Sequence, residues 1–323
     1  MLERHLFSRY SAAVVRVERG GRAVYERAAG TLRDDGGSAT YVDTRFDIAS
    51  ITKVFVSTVA LALVARGTLA LDATLTGAIT LRMVLAHTGG FRSGADYRTL
   101  FDEHVETFAL REPPIGAPGE RVVYSDLGFL ALGAELARRT GIALEPLVER
   151  ELRMLGSERV TYGRHARGEA VPATERDEWR GLVQGRVHDE KAALAGGVAG
   201  HAGLFADARD VARLGEWYLA PRYGRPSPLP AALAAAAVTE QASDPVLRRG
   251  LGWALKTSDE NSCGARMSPE TFGHTGFTGT CIWVDPVCDL NVVVLTNAVH
   301  YGRRDLREVR AAFCDAAVEA FAA

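Results

Sequence analysis

Cysteine is scarce in this sequence of 323 residues: Cys263, Cys281, Cys288 and Cys314 all fall in the last fifth of the chain, with no Cys-x-x-Cys pair. That usage excludes a small disulfide-rich framework and predicts reduced core thiols, with a Cys281 to Cys288 bridge across a hairpin as the alternative. An excess of charge of one sign is missing too. The formal net charge is −2 and the arginines are scattered among acids, which argues against nucleic acid as a partner. Long hydrophobic runs are absent. The longest, Val54 to Val64, is interrupted by Ser57 and Thr58 and falls short of the roughly 20 residues that span a bilayer, so it is expected to be a buried helix and no membrane is implied. The N-terminal Met1-Leu2-Glu3-Arg4-His5 leads into a strand-like stretch without the apolar segment and cleavage site of an export signal, and the expected location is cytoplasmic. No Gly-x-Ser-x-Gly elbow and no His-Glu-x-x-His spacing occur, which disfavours an α/β-hydrolase and implies neither a metal nor a cofactor.

What is present is the balance of a globular protein with a large core: 47% hydrophobic and 24% charged residues. The β-rich runs Ala12 to Val17 and Arg22 to Ala29 flank Glu18-Arg19-Gly20-Gly21, the pattern of a hairpin whose glycines accept positive φ. Near the other end, Gly252 to Lys256, Gly279 to Val284 and Leu290 to Leu295 again read as strands. Residues 304 to 321 place Leu306, Val309, Phe313, Ala317 and Phe321 on one helical face. Helical spacing also marks Thr80 to His87, Leu127 to Thr140, stopped by Gly141, and the alanine-rich Ala231 to Ala237. Strands at both termini with helices between them predict an α+β fold with an inserted helical domain. Residues 157 to 190 are polar and loop-like, and are expected to wall a pocket.

Three segments carry candidate chemistry. The first is Ser50-Ile51-Thr52-Lys53 at the head of the apolar helix. At this spacing the amine can reach the hydroxyl, and the helix N-terminus favours negative charge near the serine. With 13 serines and three lysines in the chain, chance would supply such a pair about 0.1 times. The second is Tyr124-Ser125-Asp126 before a helix, where Ser125 and Asp126 have a plain alternative as helix caps. The third is His274-Thr275-Gly276-Phe277 at the edge of a strand. His87 and His201 sit in glycine-flanked turns and read as structural hydrogen-bonders, and His188-Asp189-Glu190 reads as a solvated charge cluster.

In this order the segments resemble the serine β-lactamase and penicillin-binding-protein superfamily, particularly its class C-like branch of esterases, D-aminopeptidases, carboxypeptidases and acyl-transferring enzymes. Leu85-Ala86-His87-Thr88-Gly89-Gly90 and the glycine-rich Gly196 to Phe205 resemble further segments of that family. The resemblance implies a β-lactamase/transpeptidase-like fold: residues 1–70 and 191–323 form an antiparallel sheet flanked by helices, and 71–190 form the inserted, mainly helical domain. It implies Ser50 as acylated nucleophile, Lys53 as its base partner and Tyr124 as proton relay. The backbone N–H groups of Ser50 and Phe277 would form the oxyanion hole, and Asp126, His274, Thr275 and Gly276 would contact substrate.

Two departures bear on substrate choice. His274 stands where lysine is frequent and is mostly uncharged at neutral pH, so a substrate carboxylate should be held less firmly. Asp126 stands where asparagine is frequent; its carboxylate should favour the charged Lys53 amine and shift the base role toward Tyr124. The leading expectation is acyl transfer from a small-molecule ester, amide or D-amino-acid peptide through Ser50, with water as acceptor. The rivals are a cytoplasmic transacylase of small-molecule biosynthesis and a non-catalytic acyl-binding or sensor protein.

Overall fold

A computed structural model describes residues 2–163, 170–243 and 247–322. Its centre is a nine-stranded antiparallel sheet. The hairpin β1 (Ala12–Arg19) and β2 (Arg22–Arg33), extended by β3 (Gly36–Ala39), lies beside strands from the far end of the chain: β11 (Ala242–Ser243), β12 (Arg248–Arg249), β13 (Ala254–Leu255), β14 (Phe272–Thr275), β15 (Cys281–Asp285) and β16 (Leu290–Thr296). The order is β11-β12-β13-β14-β15-β16-β1-β2-β3, and β1 pairs with β16 from Ala13↔Thr296 to Arg19↔Leu290. The turn between β1 and β2 uses Gly20 and Gly21 at φ +61° and +71°, values that cost glycine nothing. The strand expected over Gly252 to Lys256 shrinks to Ala254–Leu255, because Gly252 turns at φ +83° and lies so close to Ser57 that a Cβ would sit 2.2 Å from its Oγ.

Side chains of β1 alternate between two buried faces, as the period of a strand requires. Ala12 and Val14 join the larger core with α1 (Ile51–Ala65) and α7 (Ala208–Leu219), whereas Ala13, Val15 and Val17 face Phe313, Cys314 and Ala317 of α9 (Arg307–Phe321). Residues 51–63 of α1 are all buried, which explains why that helix is apolar all round. The four cysteines are free thiols.

The remaining helices are α2 (Leu81–Leu85), α3 (Val105–Arg111), α4 (Asp126–Thr140), α5 (Leu144–Met154), α6 (Glu190–Leu194) and α8 (Ala231–Ala237). Gly141 ends α4 in the left-handed conformation at φ +67°. Short strands complete the described residues: β4 (Phe46–Asp47) with β10 (Leu204–Ala206) and β7 (Thr161–Tyr162), β5 (Thr74–Thr76) with β6 (Ile79–Thr80), and β8 (Glu175–Asp177) with β9 (Gly181–Val183). Among the described residues no helix is long and apolar enough to cross a membrane.

Candidate active site

Ser50 is placed by a turn of its own. Asp47 is buried, and its two carboxylate oxygens accept the Ala49 N–H at 2.8 Å and the His188 N–H at 2.7 Å. Ala49, held there, has φ +45°, a conformation that costs a residue with a Cβ roughly 1–3 kcal/mol and is tolerated where its surroundings fix it. Ser50 follows as the N-cap of α1 but makes no side-chain cap hydrogen bond. Its hydroxyl instead accepts from Lys53 Nζ at 3.0 Å.

Lys53 is fully buried. Its Nζ also donates to the His201 carbonyl at 3.3 Å and pairs with Asp126 Oδ1 at 2.9 Å. Burial disfavours the ammonium, but Asp126 and Tyr124 outweigh it and hold Lys53 above the ordinary lysine value. The second segment divides its labour. Ser125 caps α4, accepting the Gly128 N–H at 3.0 Å, whereas Asp126 turns toward Lys53. Tyr124 lies between cations, with Lys53 Nζ 4.8 Å and the Arg249 guanidinium 5.1 Å from its ring centroid. His87 packs against the Tyr124 ring at 4.8 Å between centroids and accepts the Ser125 N–H through Nδ1 at 3.1 Å.

From β14, His274 Nδ1–H donates to the Thr275 carbonyl at 2.8 Å, so Nε2 is left as a buried acceptor with no protein partner. Burial first, then Arg249 and Lys53, push its pKa down to about 3, so the imidazole is neutral. The loop after β14 is stitched to the loop before Ser50. Thr278 Oγ1 donates to the Asp47 carbonyl at 2.7 Å and Thr280 Oγ1 to the Ile48 carbonyl at 3.3 Å. Among the described residues neither the Ser50 nor the Phe277 N–H has a protein acceptor.

Ser50, Tyr124, His274, Thr275, Gly276 and Phe277 line one cleft of about 620 Å³. Further lining among the described residues comes from within 247–262 and 303–310. From the segment 157–190 expected to wall a pocket, His188 stacks on Phe277 and Glu190 pairs with Arg303, both of them lining residues, and residues 164–169 lie outside the described residues. The Asp126 carboxylate pairs with Lys53 and Lys191. The lining also holds Arg248, Arg249, Arg303, Arg304, Arg310 and Asp305, with Arg248 paired to Glu240 and Arg303 to Glu175 and Glu190. Arg310 reaches from α9 to the Gly276 carbonyl at 2.7 Å and keeps a buried Nε without a hydrogen-bond partner. The weak hold on a carboxylate expected from His274 therefore meets other cations.

Nor is His188-Asp189-Glu190 a solvated cluster. His188 is buried, stacks on Phe277 at 5.6 Å and pairs with Glu175 at 3.0 Å, while Glu190 pairs with Arg303. Asp189 Oδ1 meets His201 Nε2 at 2.8 Å, and its other oxygen lies 3.4 Å from Lys191 Nζ. Lys191 Nζ in turn is 3.3 Å from the second oxygen of Asp126. Asp126, Asp189 and His201 offer ligand atoms within 4.8 Å of one another, a spacing a metal ion could use, but ammonium groups already pair with both Asp126 oxygens. Sequence reasoning missed Lys191, Asp189 and His201. The available signal was lysine scarcity: 35 of the 38 Lys and Arg residues are arginine, and the three lysine side chains are only 0, 11 and 5% exposed.

The sequence model of the family described as Beta-lactamase matches residues 3–316. The chain belongs to the beta-lactamase family. This family member is 30% identical to a putative D-alanyl-D-alanine carboxypeptidase of Escherichia coli (strain K12), across 90% of this chain and 79% of that protein. It is equally 30% identical to an N-acetylmuramyl-L-alanine amidase of Bacillus subtilis (strain 168), across 93% and 80%. Its fold is shared with the octameric penicillin-binding protein homologue from Pyrococcus abyssi, with TM-score 0.78, 19% identity and 99% and 76% of the two chains covered. It is also shared with EstCE1, a hydrolase with promiscuous acyltransferase activity, with TM-score 0.76, 21% identity and 96% and 94% covered. The expected α+β fold of the β-lactamase type is thus found.

Proposed function

We propose that this beta-lactamase-family protein is a serine acyl-enzyme hydrolase or acyltransferase acting on an ester or amide. The observation that carries the reading is the contact of Lys53 Nζ with Ser50 Oγ at 3.0 Å beside the Tyr124 ring. Ser50 Oγ attacks the carbonyl carbon, and the bond to the leaving alcohol or amine breaks in the second half of the step. Lys53, paired with Asp126, is an ammonium and a poor proton acceptor. The serine proton therefore passes to the Tyr124 oxygen as Tyr124 gives its own hydroxyl proton to the leaving atom. The N–H groups of Ser50 and Phe277 receive the oxyanion. Water or another nucleophile then releases the acyl group by the reverse route.

The arginine-rich lining supports donors that carry an acid group, such as a D-alanyl peptide, and the names of the relatives are consistent with that class. The test is intact-protein mass spectrometry after exposure to nitrophenyl esters, D-alanyl peptides and a β-lactam, with Ser50→Ala alongside. A Ser50-dependent adduct that decays in water means hydrolysis, and one that waits for an amine or alcohol means transfer. No adduct from any donor refutes the proposal and favours a binding or sensor protein.

A further inference from the structure

Asp126 sets an electrostatic problem that the rest of the buried network answers. A carboxylate 2.9 Å from Lys53 forms with it a neutral pair, which removes from Ser50 and Tyr124 the positive charge that lets a neighbouring oxygen hold a proton's pair of electrons. Behind Asp126 the charges continue in alternation. Lys191, on α6, lies 3.3 Å from the other Asp126 oxygen, Asp189 lies 3.4 Å from Lys191, and His201 closes the row at 2.8 Å. Asp189 is itself fixed as the N-cap of α6, accepting the Ala192 N–H at 2.9 Å, and the His201 carbonyl returns to Lys53. The row therefore begins and ends on the same catalytic amine.

We propose that Lys191 is a positioning residue for acylation: its ammonium offsets the Asp126 carboxylate, so that Lys53, Asp126 and Lys191 together keep one unit of positive charge beside Ser50 and Tyr124. Asp189 and His201 hold Lys191 in that place. The inference rests on the reading of Lys53 and Tyr124 as the proton-handling pair. The groups that face Lys53 are Ser50 on its own helix, Tyr124 and Asp126 at the head of α4, and the His201 carbonyl. Lys191 and Asp189 lie behind Asp126, and Arg249, His87 and His274 stand around Tyr124. Of the groups behind Asp126, the His201 ring also lies within 4.8 Å of the Asp126 carboxylate and acts on it, but Lys191 is the one that reaches it at ion-pair distance, 3.3 Å, among the described residues.

The scarcity of lysine makes the test direct, because [13Cε]lysine labelling yields three resonances, assigned by Lys53→Met and Lys191→Gln. In the wild type the Lys53 signal should not titrate up to about pH 10, since its ordinary value near 10.4 is raised by Asp126. In Asp126→Asn it should titrate, and in the double variant Asp126→Asn/Lys191→Gln it should titrate about one unit higher, because the cation on the far side of residue 126 has been removed. Values for those two variants within about 0.3 unit of each other would overturn the proposal.

A second measurement does not need Asp126→Asn to fold. In Lys191→Gln the acid limb of the Ser50 acylation rate should move up by about one pH unit, and Lys191→Arg should return it. Equal losses in both variants with an unmoved limb would mark Lys191 as merely structural and overturn the role. Absence of any Ser50 adduct would instead refute the proposed function, while the lysine titration would still decide the charge coupling.

Discussion

Replacing Gly276 by alanine should separate folding from catalysis in this protein. An alanine Cβ there would lie 2.1 Å from Thr280 Oγ1 and 2.5 Å from the Ile48 carbonyl oxygen. The threonine can rotate away, but the Ile48 carbonyl belongs to the backbone just before Ser50 and accepts the Thr280 hydroxyl. Relief of the contact to an ordinary separation requires the loop after β14 and the loop before Ser50 to part by roughly 0.9 Å or more. Oxyanion donors act at about 2.7–3.1 Å, and loss of one lowers kcat by roughly 10²–10³, or about 3–4 kcal/mol. Overpacking of the fold itself should cost only about 1–3 kcal/mol. The assay is the single-turnover rate of Ser50 acylation by a nitrophenyl ester, followed by intact mass, with thermal unfolding measured in parallel. A folded Gly276→Ala protein that acylates within about threefold of wild type would refute the placement of the Phe277 N–H in the oxyanion hole, because that effect is far below the loss of one donor.

Four further outcomes follow from the same geometry. Tyr124→Phe should slow acylation by roughly 10²–10⁴, the usual worth of a positioned proton carrier, and near-normal acylation in that variant alongside a dead Lys53→Ala would return the base role to Lys53. Arg310→Gln should raise KM for donors bearing a carboxylate while leaving KM for a neutral nitrophenyl ester in place; an equal rise for both would remove Arg310 from acid recognition. The unfolded chain binds a proton at His274 near pH 6.5, whereas the folded chain does so only near 3. Stability from this group is therefore complete above about 6.5 and declines as pH falls toward 3, by up to about 1.4 kcal/mol per unit; an NMR shift of the His274 ring that titrates near 6.5 in the folded protein would contradict this. Lys256 is buried and donates to the Ala265 and Met267 carbonyls at 3.2 and 2.7 Å, so Lys256→Met should cost roughly 1–3 kcal/mol by leaving carbonyls unmet. Denaturant titration checks that value, and an unchanged midpoint would show that water replaces the amine.

The parts of the site that were legible in the sequence are those whose chemistry is local. Ser50 and Lys53 meet because one turn of helix joins them, and the hairpin at Gly20-Gly21, the Gly141 stop and the face of α9 follow from periodicity and turn preference. Ser125 met its expectation as a cap for the same reason. By contrast, the expectation that 157–190 walls a pocket named no contacts, and it is His188 on Phe277 and Glu190 on Arg303 that bring this segment against residues lining the cleft.

The sequence by itself determined which residues could do chemistry and in what order the chain delivers them, since helix and strand periods act over a few residues. Only the tertiary structure decided that Arg249 from β12 lies over Tyr124, that Arg310 from α9 faces the cleft, and that Lys191 and Asp189, more than 60 residues beyond Asp126, share its buried charge. Charge pairing acts through space and is blind to chain separation, so Asp189 looked solvated in sequence and pairs with Lys191 and His201 in the folded protein.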